Sequence, residues 1–158
     1  MSSHDSDNRS PPLPDSMTRN RRTRILIDGD ARLRRDFAAA VRDAADVVTI
    51  EPPRAGLTMV RLRESARRSV FNLGEVLVTE AKVEVNGHPG LGLIAGDDEE
   101  AAMDLAVIDG AWSARLPTIA AWSDRLVAEE ARIAAARTTD RTRLLETRVR
   151  FDSLDGDS

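Results

Sequence analysis

Four arginines, Arg61, Arg63, Arg67 and Arg68, cluster in a short stretch, and a carboxylate, Glu75, follows beside Gly74. Guanidinium forks match the oxygens of phosphate and phosphonate groups. Arg61 and Arg63 are two residues apart, so in a strand they share a face and both reach one anion. They are the candidate ligand-binding residues. Glu75 is the candidate proton-transfer group, because a carboxylate held beside a substrate can move a proton. Each also has a plainer reading as a solvated charge on a surface strand. The only histidines, His4 and His88, are too few and too far apart for a His-based metal site. They also cannot complete a nucleophile–base–orienter triad. No metal site is expected, and Glu75 is the sole catalytic candidate.

A second chemical signal is the stretch "NGHPGLGLIAGDDEE", Asn86 to Glu100, with four glycines. Gly90, Gly92 and Ala95 match the spacing of the G-x-G-x-x-G/A dinucleotide fingerprint. The context does not fit. "LGLIAG" is apolar and strand-like where the fingerprint needs a helix start. The helix signal comes later and opens with Asp97, Asp98, Glu99 and Glu100, which suit a helix dipole but repel a phosphate. Asn86-Gly87 is a strong hairpin signal. The stretch therefore reads as strand, an NGHPG turn, and the return strand "LGLIA".

The elements that must position these residues follow from periodicity. Residues 1–22 are mostly polar and proline-rich and are expected to form a disordered tail. "RTRILI" is of uncertain type. "ARLRRDFAAAVRDAA" reads as a helix capped by Asp30, with Leu33, Phe37, Ala40 and Val41 on one stripe. "DVVTIEPP" reads as a strand ended by Pro52 and Pro53, and "AGLTMVRLR" as a second strand after a turn at Arg54–Gly56. "SARRS" is a polar connection. In "VLVTEAKVEV", Leu77, Thr79, Ala81, Val83 and Val85 fall on one face and Glu80, Lys82 and Glu84 on the other. Gly96 then leads into a helix with Asp97 and Glu100 as a capping-box variant and Ala101, Leu105, Ile108 and Trp112 on its stripe. Pro117 opens a long last helix that presents Ile119, Trp122, Leu126 and Ile133. A break is expected at Thr138–Asp140, and "TRVRFDSL" reads as a strand or a docking tail. The fold class is α+β: an antiparallel sheet with a central hairpin, packed by helices, with a long C-terminal helix. One domain over residues 23–153 is expected, with 154–158 frayed.

Composition limits the function classes. The chain has 158 residues, 41% hydrophobic and 32% charged, with a formal charge of −4. That charge argues against general affinity for nucleic acid or anionic membranes. No apolar run reaches membrane-spanning length, and the polar N-terminus has no secretory h-region, so a cytoplasmic location is expected. With no cysteine, the chain forms no disulfide and offers no thiolate to zinc or an iron–sulfur cluster.

"FNLGEVLVTEAKVEVNGHPGLGLIAGDDEEAAMDLAVIDG" resembles the PhnG family, small subunits of the carbon–phosphorus lyase core complex of phosphonate metabolism. The resemblance rests on Phe71-Asn72-Leu73-Gly74-Glu75, Val78-Thr79, Gly96-x-Asp98 and Ala106-Val107-Ile108-Asp109 in that order. "RAGLTMVRLR" looks like the family's first strand, and "ETRVRF" like its Thr-x-Val-x-Phe ending. The likeness covers about Asp46 to Phe151. The chain departs from the family at Thr79-Glu80-Ala81, where Thr-Arg-Cys is frequent. It departs again at Gly96-Asp97-Asp98 and Ala101-Ala102-Met103, where Gly-Arg-Asp and His-Ala-Glu are frequent.

The resemblance implies a subunit that is inactive alone. With PhnH-, PhnI- and PhnJ-type partners, it would take part in joining an alkylphosphonate to ribose C1 of a nucleoside triphosphate. Adenine leaves, and ribose 1-alkylphosphonate 5-triphosphate forms. ATP and the alkylphosphonate are substrates of the complex, and this chain is expected to bind no cofactor. An iron–sulfur cluster belongs to a partner. The chain would be held by its hairpin and long C-terminal helix, with Phe71, Asn72, Gly74, Trp122 and Leu126 at the partner interface. The alternative from residue chemistry is a stand-alone anion-binding or regulatory domain without catalysis.

Overall fold

The computed structural model of the chain describes residues 17–63 and 70–152. For residues 62–63, 70–73 and 142–152 it describes the backbone alone. Two helices come first, α1 (Arg19–Asp28) and α2 (Ala31–Ala44). Three strands follow, β1 (Val47–Arg63), β2 (Val70–Val85) and β3 (His88–Ala95). Helix α3 (Glu99–Ser113), a 3-10 turn (Pro117–Ala121) and helix α4 (Trp122–Asp152) complete the chain. The sheet is antiparallel in the order β1-β2-β3. This is the α+β architecture expected from the sequence, long last helix included.

Alternation in β2 sets the layers. Thr79, Ala81, Val83 and Val85 are fully buried against the helices, while Glu80, Lys82 and Glu84 face outward and are only half covered. Val47 and Thr49 lie opposite Val85 and Val83 and extend this inner face. Helix α3 packs across it and is buried nearly all round, from Ala101 to Ala111, rather than along one stripe. On the far side Phe37 of α2 stacks on Trp122 of α4 at 4.3 Å between ring centroids, and Trp112 of α3 tilts against the same ring at 5.2 Å.

The glycine-rich stretch finds its role here. A side-chain carbon on Gly90 would meet the carbonyl of Ala106 and lie 2.7 Å from the Gly110 Cα. On Gly92 it would meet the carbonyl of Ala102 and lie 2.7 Å from the Ala106 nitrogen. Ala102, Ala106 and Gly110 are four residues apart, so they form one ridge of α3. The two glycines let β3 rest on that ridge, backbone to backbone. They serve packing, as glycines do where two backbones meet, and not phosphate binding.

Several boundaries differ from the sequence reading. Pro52 and Pro53 do not end a strand. They sit in register shifts between Thr49 and Arg54 of one continuous β1, which tolerates them because it is an edge strand. The hairpin turn is only Asn86-Gly87, both at positive φ (49° and 76°), so His88 and Pro89 already belong to β3. Asp98, not Asp97, caps α3, accepting from the Ala101 N–H at 2.9 Å. The expected tail is too long. Thr18 caps α1, and Met17 is 8% exposed in the core, so residues 17–22 are part of the fold, while residues 1–16 lie outside the described residues. Helix α4 does not break at Thr138–Asp140. The Thr138 and Thr139 hydroxyls donate to the carbonyls four residues back, at 3.0 and 3.1 Å, and the backbone stays helical through "TRVRF" to Asp152. Residues 153–158 lie outside the described residues.

Gly92→Ala is expected to lower unfolding stability by about 3 kcal/mol, because the clash is with backbone that cannot rotate away. Gly56 has nothing within 4 Å of an added Cβ, so Gly56→Ala is expected to change stability by less than about 0.5 kcal/mol. Urea unfolding of both variants measures the difference.

Candidate functional site

Strands β1 and β2 are longer than β3. Pairing of β3 ends at Ala95, opposite Val78, whereas β1 and β2 stay paired out to Arg63 and Val70. Beyond Val78 the sheet is therefore a two-stranded ribbon. Leu57 lies opposite Leu77 and Met59 opposite Glu75. Alternation places Leu57, Met59 and Arg61 on the inner face, the face that is core further along the sheet. Helix α3 starts only after the Gly96–Asp98 corner, so no described helix covers this part. Leu57, Met59 and Leu77 are 66%, 50% and 41% exposed. Leu77 shares a face with Thr79 but stays exposed, because the strand runs on past its helix.

The ribbon gathers most of the residues singled out in the sequence. Arg61 is exposed opposite Asn72, and Glu75 is exposed two residues along β2 from Leu77. Gly74 is exposed at φ 139°, a conformation that favours glycine, beside a register shift that leaves Leu73 without a partner. Arg63 pairs with Val70, and Phe71 with Leu62, through their backbones, while Arg67 and Arg68 lie outside the described residues. The result, among the described side chains, is a bare apolar strip with Arg61 and Glu75 near its outer end. It is an open surface, with the chemistry of a docking face that could also present Arg61 to an anion.

Trp122 and Leu126 are not part of it. They are 4% and 0% exposed in the chain's own core, which corrects their expected place at a partner interface. Their helical stripe found its cover within the chain. His88, the first residue of β3, is exposed, its Nδ1 3.1 Å from the Asn86 carbonyl. Among the described residues no three His, Cys, Asp or Glu side chains converge as a metal site.

The polar groups with the most specific geometry lie inside the fold. Asp109, in mid-α3, is 8% exposed. Its Oδ1 accepts from Arg19 Nε at 2.9 Å and Arg22 Nη2 at 2.7 Å. Its Oδ2 accepts from Arg19 Nη2 at 2.6 Å and the Leu91 N–H at 3.1 Å. The carboxylate's acceptor sites are thus all used. Burial lowers the Arg22 pKa, opposed by Asp109, and the Arg22 guanidinium also lies 4.8 Å from the Trp112 ring centroid. Asp104, one turn earlier, accepts from Arg42 at 2.9 Å and faces buried Arg34 at 3.9 Å. Burial raises the Asp104 pKa against the pull of Arg42, and Arg34 Nε and Asp104 Oδ2 lack hydrogen-bond partners. The sequence reading missed this network. Its signal was an acid at helical spacing among apolar residues in "MDLAVIDGAW", which needs a cation once buried.

The remaining motif residues also hold the fold. The Thr79 hydroxyl donates to the Gly96 carbonyl at 2.7 Å and accepts from the Asp98 N–H at 3.3 Å. Val78-Thr79 and Gly96-x-Asp98 thus meet at one corner, where the sheet hands over to α3.

A family model described as phosphonate metabolism protein PhnG matches residues 17–156. A curated protein of Rhizobium meliloti (strain 1021), the alpha-D-ribose 1-methylphosphonate 5-triphosphate synthase subunit PhnG, is similar to this chain, 35% identical over 71 residues. That match covers 44% of this chain and 46% of the relative, so it spans about half the relative's length.

Asp109→Ala is expected to destabilise the chain by about 3 kcal/mol or more, because Arg22 is left buried without its counter-charge. Glu75→Ala is expected to change stability by less than about 0.5 kcal/mol. Equal effects of the two in urea unfolding would remove Asp109 from its structural role.

Proposed function

The chain belongs to the PhnG family of phosphonate metabolism proteins, and from that premise we propose that it is a non-autonomous subunit of a phosphonate-processing enzyme complex. Its partners are the PhnH-, PhnI- and PhnJ-type subunits. The reaction of the complex joins an alkylphosphonate oxygen to ribose C1 of ATP as the bond to adenine breaks. The products are adenine and ribose 1-alkylphosphonate 5-triphosphate. The name of the Rhizobium relative, a subunit of a synthase for the methyl form of that product, supports this reading.

The observation that carries the proposal is the bare inner face of the ribbon. A folded chain that leaves Leu57, Met59 and Leu77 exposed side by side, next to the Phe71–Glu75 segment, presents a surface suited to a partner. Glu75 and Arg61 stand on open surface, with no wall among the described residues to exclude water from a reaction. A partner seated on the ribbon would supply that wall. Arg61, and Arg63 beside it, would then hold phosphonate or triphosphate oxygens at the shared boundary, with Glu75 on the same ribbon as the candidate acid. The iron–sulfur chemistry of later steps belongs to a partner, since this chain has no cysteine.

Co-expression with the three partner types, followed by size-exclusion chromatography and native mass measurement, is expected to give one assembly of fixed stoichiometry. A well-folded monomer that ignores them contradicts the proposal. Leu57→Asp with Met59→Asp is expected to weaken assembly at least about tenfold, since two charges would be buried unpaired. The melting temperature of the free chain is expected to stay unchanged. Arg61→Glu, or Arg63→Glu, is expected to lower turnover of the assembled complex about tenfold or more by placing like charge against the anion. Unchanged turnover in both removes the arginines from the site.

A further inference from the structure

We infer that the outer edge of β3 accepts an extended, acidic–apolar segment of a partner subunit as a fourth strand, lying in the groove between β3 and α1. The inference rests on the proposed complex but concerns a different surface from the ribbon. Strand β3 is terminal in the sheet. The Leu91 N–H points away from β2, because it donates to Asp109 on α3. Alternation then points the backbone groups of Pro89, Leu93 and Ala95 the same way. Pro89 has no N–H, and that of Leu91 is taken. The edge groups of Leu93 and Ala95 make no backbone hydrogen bond to another described residue. An unpaired edge of this kind is a template for a strand from another chain.

The surroundings say what that strand carries. A groove of about 740 Å³ runs beside this edge, lined by Asn20, Thr23, Arg24 and Ile27 of α1 and by Leu91 and Leu93. Ile27, Leu91 and Leu93 are 37%, 38% and 46% exposed, so the groove offers apolar surface to every second side chain of an added strand. The rim is basic in a chain whose net charge is −4. Asp109 is shared by Arg19 and Arg22, and Asp28 by Arg24 and Arg137. Arg24 is the most exposed of them, at 69%, 3.6 Å from Asp28 and with Glu130 also within its field. An acidic side chain on the incoming segment would meet it. A second copy of this chain fits less well, because antiparallel pairing of two β3 edges would bring two basic rims together.

Hydrogen exchange of the Leu93 and Ala95 amides tests this, in the free chain and in the assembly with the PhnH-, PhnI- and PhnJ-type subunits. Fast exchange in the free chain and about a hundredfold slowing in the assembly are expected. Arg24→Glu is expected to weaken assembly about tenfold without shifting the melting temperature of the free chain. Equally fast exchange in an intact assembly overturns the inference and leaves the proposed function standing. Slow exchange in the free chain overturns it too, because the chain then covers its own edge. Slowing that depends only on the concentration of this chain assigns the edge to a second copy and overturns it. Failure to assemble at all overturns both readings.

Discussion

The fold depends on one close contact, the seating of α3 on β3 with backbone against backbone. Gly90 and Gly92 supply the space on the strand, and Ala102, Ala106 and Gly110 supply it on the helix. This approach buries α3 almost all round. A helix so deeply buried cannot keep its polar residues in water. Asp104 and Asp109 therefore need counter-charges inside the protein, and α1 and α2 provide them through Arg19, Arg22, Arg34 and Arg42. The placement of the two N-terminal helices thus follows from the contact between α3 and β3. Asp109 links the two directly, since it also holds the Leu91 N–H at the strand's edge.

The same contact sets where the body of the protein ends. The sheet is covered only as far as the corner where Thr79 meets Gly96 and Asp98. Past it, β1 and β2 continue as a ribbon with one apolar face bare. The motif residues divide along this line. Thr79, Gly96, Asp98 and Asp109 build the body, and Phe71 to Glu75 lie on the ribbon. No helix among the described residues is long and apolar enough to cross a membrane.

Much of this was legible in the sequence, and the failures have physical causes. The alternation of Thr79, Ala81, Val83 and Val85, the Asn86-Gly87 turn and the Asp30 cap are local signals, and each matches the structure. Pro52 and Pro53 misled because a proline's effect depends on whether its strand is central or at an edge, which local sequence does not encode. Trp122 and Leu126 looked available to a partner because a helical stripe does not reveal what covers it. Phe37 and Trp112 cover Trp122 here, and Leu126 is fully buried in the same core. Leu57 and Met59 were invisible as a surface because strand period alone does not tell where the helix layer stops. Arg61 and Glu75 were chosen separately, and only the register brings them onto one ribbon.

The central claim is that the ribbon's inner face is closed over by partner subunits. Met59, half exposed in the free chain, is a built-in reporter, because a thioether oxidises only where peroxide can reach it. The most direct measurement is its rate of sulfoxide formation, by peptide mass spectrometry, in the free chain and in the assembled complex. The account predicts rapid oxidation in the free chain and strong protection in the complex. Equal rates in the two would contradict it, because the ribbon would then stand in solvent while the complex is intact.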